Sequence, residues 1–142
     1  MTDPSIVARK LAALRDHAAR LQRRRPSRAE ELRADIDLQD ALAMSLVVAV
    51  QSALDVAMHI ASDDGLGVPA TYSEAFLVLA KHGILATSTS DSLSRMASLR
   101  NRIAHGYATV DFERIWSELP AGLQAFSEFE HAISLHLGKK RG

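Results

Sequence analysis

The sequence contains no cysteine. That absence excludes a disulfide framework, thiolate catalysis and cysteine-based metal sites, and it suits a reducing cytosol. Only four prolines and seven glycines are present, and no glycine precedes Gly65. Strand-like alternation is missing, as are a phosphate-cradling glycine loop and zinc-ligand spacing. Aromatics are few, seven in all, and each lies at or after Tyr72. The first half must therefore pack with Leu, Val, Ala and Met. Charge of one sign does not prevail: 17 basic and 17 acidic residues cancel. Bulk charge thus does not mark a nucleic-acid binder, and any RNA contact must be local. A long uncharged apolar run is also missing. The most apolar stretch, Ala41–Val50, takes in Gln51, Asp55 and His59 when extended towards the roughly 20 residues a membrane helix needs. It reads as a buried central helix. The opening residues lack the apolar core of a signal peptide. These features together predict a soluble, cytoplasmic chain without a membrane segment.

What is present fits one helical domain over residues 1–142, with 1–3 and 138–142 expected to fray. Alanine and leucine dominate, so helix is the default. The first helix is read from Pro4 to Arg24, with Val7, Leu11, Leu14, Ala18 and Leu21 on one stripe. Arg23, Arg24, Arg25 and Arg28 follow, read as solvated cations at a helix C-terminus, with an RNA patch as the lesser alternative. Pro26 breaks the chain, and Ser27-x-x-Glu30 forms a capping box. The helix it opens is read to Ala61, about 50 Å if unbroken. It is apolar nearly all round and must be covered, which makes a subunit interface a fair expectation. Residues 62–70 are a loop. Thr71-x-x-Glu74 caps a short helix over Tyr72–Lys81, which Gly83 ends. Residues 87–92 are read as a polar connector supplying the next cap. The helix after it carries Leu93, Met96, Leu99 and Ile103. Asp111 is a natural cap for a segment with Phe112, Ile115, Trp116 and Leu119, and Leu119-Pro120 should interrupt it. A last helix to about Leu137 buries Leu123, Phe126, Phe129 and Ile133. The fold class is therefore all-α, an antiparallel helical bundle with an interrupted C-terminal helix.

The residues that carry chemistry lie in Ser98–Asp111. Arg100-Asn101-x-x-x-His105-x-Tyr107 sits at the end of a helix. Metal-free RNA cleavage turns a ribose 2′-hydroxyl onto the adjacent phosphorus and needs a base and an acid. Histidine serves either role near neutrality, and the arginine fork grips phosphate oxygens. Gly106 should end the helix, leaving His105 in its last turn, where the helix dipole favours a protonated imidazole and so a general acid. Positions five apart differ by about 140° around a helix, so Arg100 and His105 do not share a face. Arg100 must reach around, or the helix must open before His105, or a partner chain must complete the site. Asn101 would orient His105 or hold a ribose hydroxyl. Arg102 is a second phosphate candidate, with a surface arginine as the plain reading. Tyr107 would stack on a base, or stand as a turn tyrosine with its hydroxyl in solvent. One chain offers one such histidine, and a two-fold dimer would supply its mate.

The segment Arg100-Asn101-x-x-x-His105-x-Tyr107 resembles the HepT-like ribonucleases of the HEPN superfamily. Leu54–Ala57 with His59-Ile60, Pro69–Gly83, Val110-Asp111, and Trp116 with Leu119-Pro120 extend the resemblance over roughly residues 30 to 130. It implies a HEPN-type bundle, a homodimer and a metal-independent endoribonuclease toxin, with no cofactor. Catalysis would rest on Arg100, His105 and Asn101, and RNA contact on Arg102 and Tyr107. It also implies a minimal nucleotidyltransferase as antitoxin, able to attach AMP to Tyr107. Phosphate there would repel substrate and block the groove. Two other classes compete: a catalytically inert helical partner of a nucleotidyltransferase, and a plain dimerisation bundle. Elsewhere, Asp55 and His59 stand one turn apart and are read as a structural pair. Glu128-x-x-His131 echoes half a di-iron motif but lacks the other half. His17, His82 and His136 read as surface or helix-end residues.

Overall fold

The chain enters its first helix through Asp3, whose carboxylate accepts the Ser5 N–H at 2.9 Å, while Pro4 fills the first turn. In the computed structural model, which describes residues 3–141, α1 runs Pro4–Arg24 and buries Val7, Leu11, Leu14 and Leu21. The long helix expected from Ser27 to Ala61 is two helices. α2 covers Ala29–Arg33 and α3 covers Ile36–Asp63. Asp35 caps α3 by accepting the Leu38 N–H at 3.0 Å. The Gln39 side-chain amide meanwhile donates to the carbonyls of Leu32 and Arg33 at 3.0 and 3.1 Å. The Leu32 carbonyl also accepts the Asp35 N–H at 3.3 Å, so the amide reinforces the turn that ends α2 while Asp35 caps α3 from the other side. The N-cap of α2 is Arg28 and makes no side-chain cap bond, so Ser27 does not build the expected box.

α4 (Tyr72–Lys81) starts as read: the Thr71 hydroxyl accepts the Glu74 N–H at 3.4 Å and Glu74 accepts the Ala70 N–H at 2.9 Å. Gly83 ends it at φ +74, a conformation side chains resist. α5 (Thr87–His105) takes in the whole of residues 87–92, the stretch expected to form a polar connector before it. Its hydroxyls do not cap. Thr89 and Ser90 are buried, and Thr89 donates to Glu128 at 3.2 Å across to the last helix. After a 3-10 turn at Tyr107–Thr109, α6 runs Phe112–Arg141, with Asp111 accepting the Arg114 N–H at 3.2 Å.

Cross-helix ties give the topology. Lys10 meets Asp55 and His17 meets Ser45, so α1 and α3 run antiparallel. Arg15 meets Glu130 and Arg25 meets Trp116, so α1 and α6 do too. α3 touches every other helix. It is long and apolar enough to cross a membrane, yet 61% of its most apolar window is buried inside the bundle, which marks a core helix. Phe76 and Phe129 meet edge to face at 5.8 Å between α4 and α6.

The expected interruption at Pro120 does not occur: α6 is continuous through it. A proline inside a helix strips the i−4 carbonyl of its donor, here that of Trp116. Arg25 supplies the replacement, donating Nε to the Trp116 carbonyl at 3.0 Å while its guanidinium lies 4.1 Å over the indole centroid. The indole N–H in turn donates to the Pro26 carbonyl at 2.8 Å. Arg25 is therefore a structural clasp, unlike the exposed Arg23 and Arg24 beside it. Two residues on, a Cβ at Gly122 would lie 2.3 Å from Met96 Sδ, so glycine there sets how closely α5 and α6 approach.

The C-terminal residues expected to fray continue α6 to Arg141, while Met1, Thr2 and Gly142 lie outside the described residues. The anchor is Asp64, capping α3. It pairs with His136 at 2.8 Å and with Lys140. Burial pushes the Asp64 carboxyl up, but the hydrogen bonds from Lys140 and His136 outweigh it, and the group titrates below its ordinary range.

Two outcomes are expected. Arg25→Ala should cost about 2 kcal/mol in urea unfolding, and clearly less in a Pro120→Ala background, where a new helical N–H satisfies the Trp116 carbonyl. Asp64→Asn should destabilise at neutral pH. A depressed carboxyl stabilises above its unfolded value of 3.8 and loses that effect as pH falls through the folded value. The gap between wild type and variant should therefore close below about pH 4.

Candidate active site between the central helix and the end of the fifth

Arg100 sits three-quarters of the way along α5, half-buried against α3. Its guanidinium donates to Gln51 Oε1 at 2.9 Å and to Asn101 Oδ1 at 3.1 Å. Its Nε is buried without a partner. Among the described residues no carboxylate pairs with it. A cation held only by neutral amides keeps its charge uncompensated and its orientation fixed. The Gln51 amide donates onward to Asp55 at 2.9 Å, and Asp55 pairs with Lys10 at 3.0 Å. Gln51 thus separates the arginine from the nearest carboxylate on α3.

Asp55 is in this way occupied, and the expected Asp55–His59 pair is not made. His59 instead faces Asp63 at 3.1 Å, one turn further on. Asp55 accepts from Gln51 and pairs with Lys10, while the His59 ring nitrogen accepts the Asp3 N–H at 3.4 Å and the Asp63 oxygen beside it makes no hydrogen bond. His17 is not a free surface residue either. It is half-buried near Ser45, and burial, followed by the Arg20 charge, lowers its pKa.

α5 stays helical through His105, and the Gly106 N–H closes onto the Arg102 carbonyl at 3.0 Å. The helix therefore does not open before His105. His105 stands exposed in the last turn with no hydrogen bond among the described residues, and Asn101 and Arg102 are exposed one turn earlier. Within one chain Arg100 bonds to Asn101 and turns towards α3, and no bond joins it to His105. Of the three alternatives, the opened helix is excluded.

Tyr107 is carried by the 3-10 turn, which the Thr109 hydroxyl tightens by donating to the Gly106 carbonyl at 2.8 Å. Its ring meets Phe112 edge-on at 6.0 Å and its hydroxyl donates to Asp40 on α3. The hydroxyl is thus tied to the bundle rather than left in solvent. Burial first, then the Asp40 hydrogen bond and charge, push the phenol up to about 12. Arg100–Gln51 and Tyr107–Asp40 follow opposite directions along α5 and α3, so these helices run antiparallel with the site strung between them. Asp40 and Gln51 went unread in the sequence. Eleven residues apart, they lie within about 20° on one helical face, and Met44, Val47 and Val48 lie on the same side. Met44 is 62% exposed.

Against solved structures, the bundle matches a tri-AMPylated HEPN toxin of Shewanella oneidensis in complex with its MNT antitoxin at TM-score 0.84 and 26% identity, covering 95% of this chain and 99% of that one. A cytosolic protein of unknown function from Bacillus subtilis shares the fold at TM-score 0.86 and 15% identity, covering 98% and 93% of the two chains. The fold is accordingly that of the HEPN helical proteins. Within that class, the family model described as Ribonuclease HepT-like matches residues 8–133, and the chain belongs to that family. Among characterised relatives, an mRNA nuclease HepT of Shewanella oneidensis is 27% identical over 72% of this chain and 77% of its own length. A tRNA nuclease HepT of Aphanizomenon flos-aquae is 29% identical over 65% of this chain and 63% of its own length.

The Asp40 contact is open to direct measurement. Phenolate absorbance followed against pH should show Tyr107 ionising near 12 in the native protein. In Asp40→Asn the midpoint should fall, because the carboxylate no longer opposes phenolate charge, yet stay above 10.0, because burial remains.

Proposed function

We propose that this chain is a cytoplasmic, metal-independent endoribonuclease, the toxin of a toxin–antitoxin pair, cutting RNA by attack of a ribose 2′-hydroxyl on the adjacent phosphate. The observation that carries the reading is the Arg100 guanidinium, half-buried, fixed by Gln51 and Asn101 and paired with no carboxylate among the described residues. A phosphate entering beside it would meet a preorganised charge that needs no reorganisation as charge builds on the phosphoryl oxygens. The names of the relatives, nucleases of mRNA and tRNA, point to the same substrate class.

His105 supplies the proton transfers. Exposed, unbonded and at a helix C-terminus, it is free to meet substrate and suits protonation of the leaving 5′-oxygen. Asn101 accepts from Arg100 through its carbonyl, which leaves its amide to hold a ribose hydroxyl. Arg102 adds a second phosphate contact. The missing base comes from the second His105 of a homodimer. The exposed Met44 with Val47 and Val48 beside Gln51 gives a second copy an apolar face to cover. In such a dimer Arg100 and His105 need not share a face, since each would work with its counterpart across the two-fold.

A minimal nucleotidyltransferase is the partner and antitoxin, and AMP on Tyr107 silences the toxin. The structural relative carrying AMP in complex with an MNT antitoxin supports this part. Tyr107 lies two residues beyond His105, so a phosphodiester there would repel substrate phosphate and fill the cleft.

Cleavage of RNA by the purified chain should fall about 100-fold or more in His105→Ala and in Arg100→Ala, with helicity retained. Gln51→Glu should also lose roughly tenfold or more, since it sets a carboxylate against Arg100. Equal RNA degradation by wild type and His105→Ala would sink the enzyme reading. It would leave the chain as a non-catalytic binding subunit of the nucleotidyltransferase.

A further inference from the structure

Tyr107 and Asp40 are joined across 67 positions of sequence, the phenol hydroxyl donating to the Asp40 carboxylate. Tyr107 is 43% exposed as a residue, and its hydroxyl proton is directed at α3. The edge-on contact with Phe112 and the Thr109 bond to the Gly106 carbonyl fix the ring and the turn that bears it. This is the arrangement of a nucleophile whose acceptor base is already in place.

We infer that Asp40 is the general base for nucleotidyl transfer onto Tyr107, an inference that rests on reading Tyr107 as the modified residue. As the phenol oxygen attacks the α-phosphorus of a nucleoside triphosphate delivered by the partner enzyme, its proton passes to Asp40 Oδ1. The new oxygen–phosphorus bond forms. The bond from the α-phosphorus to the bridging oxygen of the β-phosphate breaks, and pyrophosphate leaves with that electron pair.

Two physical points favour this route. With the phenol held up to about 12, a free phenolate amounts to about one molecule in 10⁵ at pH 7, so ionisation before attack is starved. The proton has to leave during attack, which is what an already bonded carboxylate permits. Once transfer is complete, the phenol has no proton to donate and carries a phosphodiester anion. When Asp40 sheds its proton to water the two repel. The modified tyrosine cannot resume its seat on α3, so the modification that adds bulk beside His105 also releases the residue bearing it.

The test compares wild type with Asp40→Asn, Asp40→Ala and Asp40→Glu. Each is co-expressed and co-purified with an MNT-type nucleotidyltransferase, then given ATP and magnesium. Intact mass and peptide mapping follow AMP on Tyr107 with time. Circular dichroism and size exclusion check fold and complex. Asn still accepts the phenol hydrogen bond but cannot take the proton, so it separates a base from a positioning role. Asp40→Asn and Asp40→Ala should both slow transfer about 100-fold or more, and Asp40→Glu should keep a rate within about tenfold of wild type. Transfer to D40N at the wild-type rate, or a loss in D40A alone, overturns the assignment while leaving Tyr107 as the acceptor. A D40N chain that fails to form the complex assigns Asp40 to docking and overturns it as well. A wild-type chain that gains no AMP takes down the reading of Tyr107 together with this one.

Discussion

A buried helix must find a partner for every polar side chain it carries, and α3 is where that requirement shapes the molecule. The helix is apolar enough to be hidden on nearly all sides, yet it bears Asp40, Gln51 and Asp55 on or near one face. Asp40 is exposed and Gln51 and Asp55 are half-buried, so a lost partner at these positions costs less than the roughly 1–3 kcal/mol of a fully buried group. Each is paired, and the partners come from elsewhere in the chain: Lys10 for Asp55, Arg100 for Gln51, Tyr107 for Asp40. The pairings satisfy the core helix and orient the candidate site in the same act. Satisfaction of α3 and placement of Arg100 and Tyr107 are one constraint seen from two sides.

This explains what could be read in the sequence and what could not. Most helices were legible because 3.6-residue spacing of Leu, Val and Ile and local caps such as Thr71 and Asp111 act within a few residues. Arg100, Asn101, His105 and Tyr107 stood out as a motif, and the family match over residues 8–133 agrees with the resemblance drawn from it. Gln51 and Asp55 were visible only as polar breaks in an apolar run. That signal says such residues need partners and is silent on which ones, because Gln51 and Arg100 lie 49 positions apart. The Asp55–His59 pairing failed for the same reason. A neighbour one turn away is the natural guess, and a lysine from another helix displaced it.

Pro120 shows the limit of a local rule more sharply. Proline ends helices because a carbonyl loses its donor and the ring crowds the preceding turn. The first part of that penalty disappears when another donor reaches the carbonyl, and Arg25 does so from the end of α1. Nothing within ten residues of Pro120 announces this. The basic cluster that holds Arg25 looked like a set of interchangeable solvated cations. One member is a structural clasp, and the helix it rescues brings Gly122 against Met96 and Glu128 onto Thr89, which steadies α5 and hence Arg100.

Charge gives the last step. A chain with equal numbers of acids and bases exerts little long-range pull on a polyanion, and surface charges are screened within roughly 8 Å at physiological salt. Binding of RNA must then depend on contacts made at short range, where screening matters least. Arg100 meets that condition, since it is half-buried and no carboxylate among the described residues pairs with it. The counter-effect follows from the same local balance. With little bulk positive charge to draw on, a single phosphodiester placed near His105 offsets a larger share of the local attraction than it would in a strongly basic protein. A group added two residues from His105 therefore acts on the short-range contacts themselves, which is where a neutral chain has its hold on phosphate.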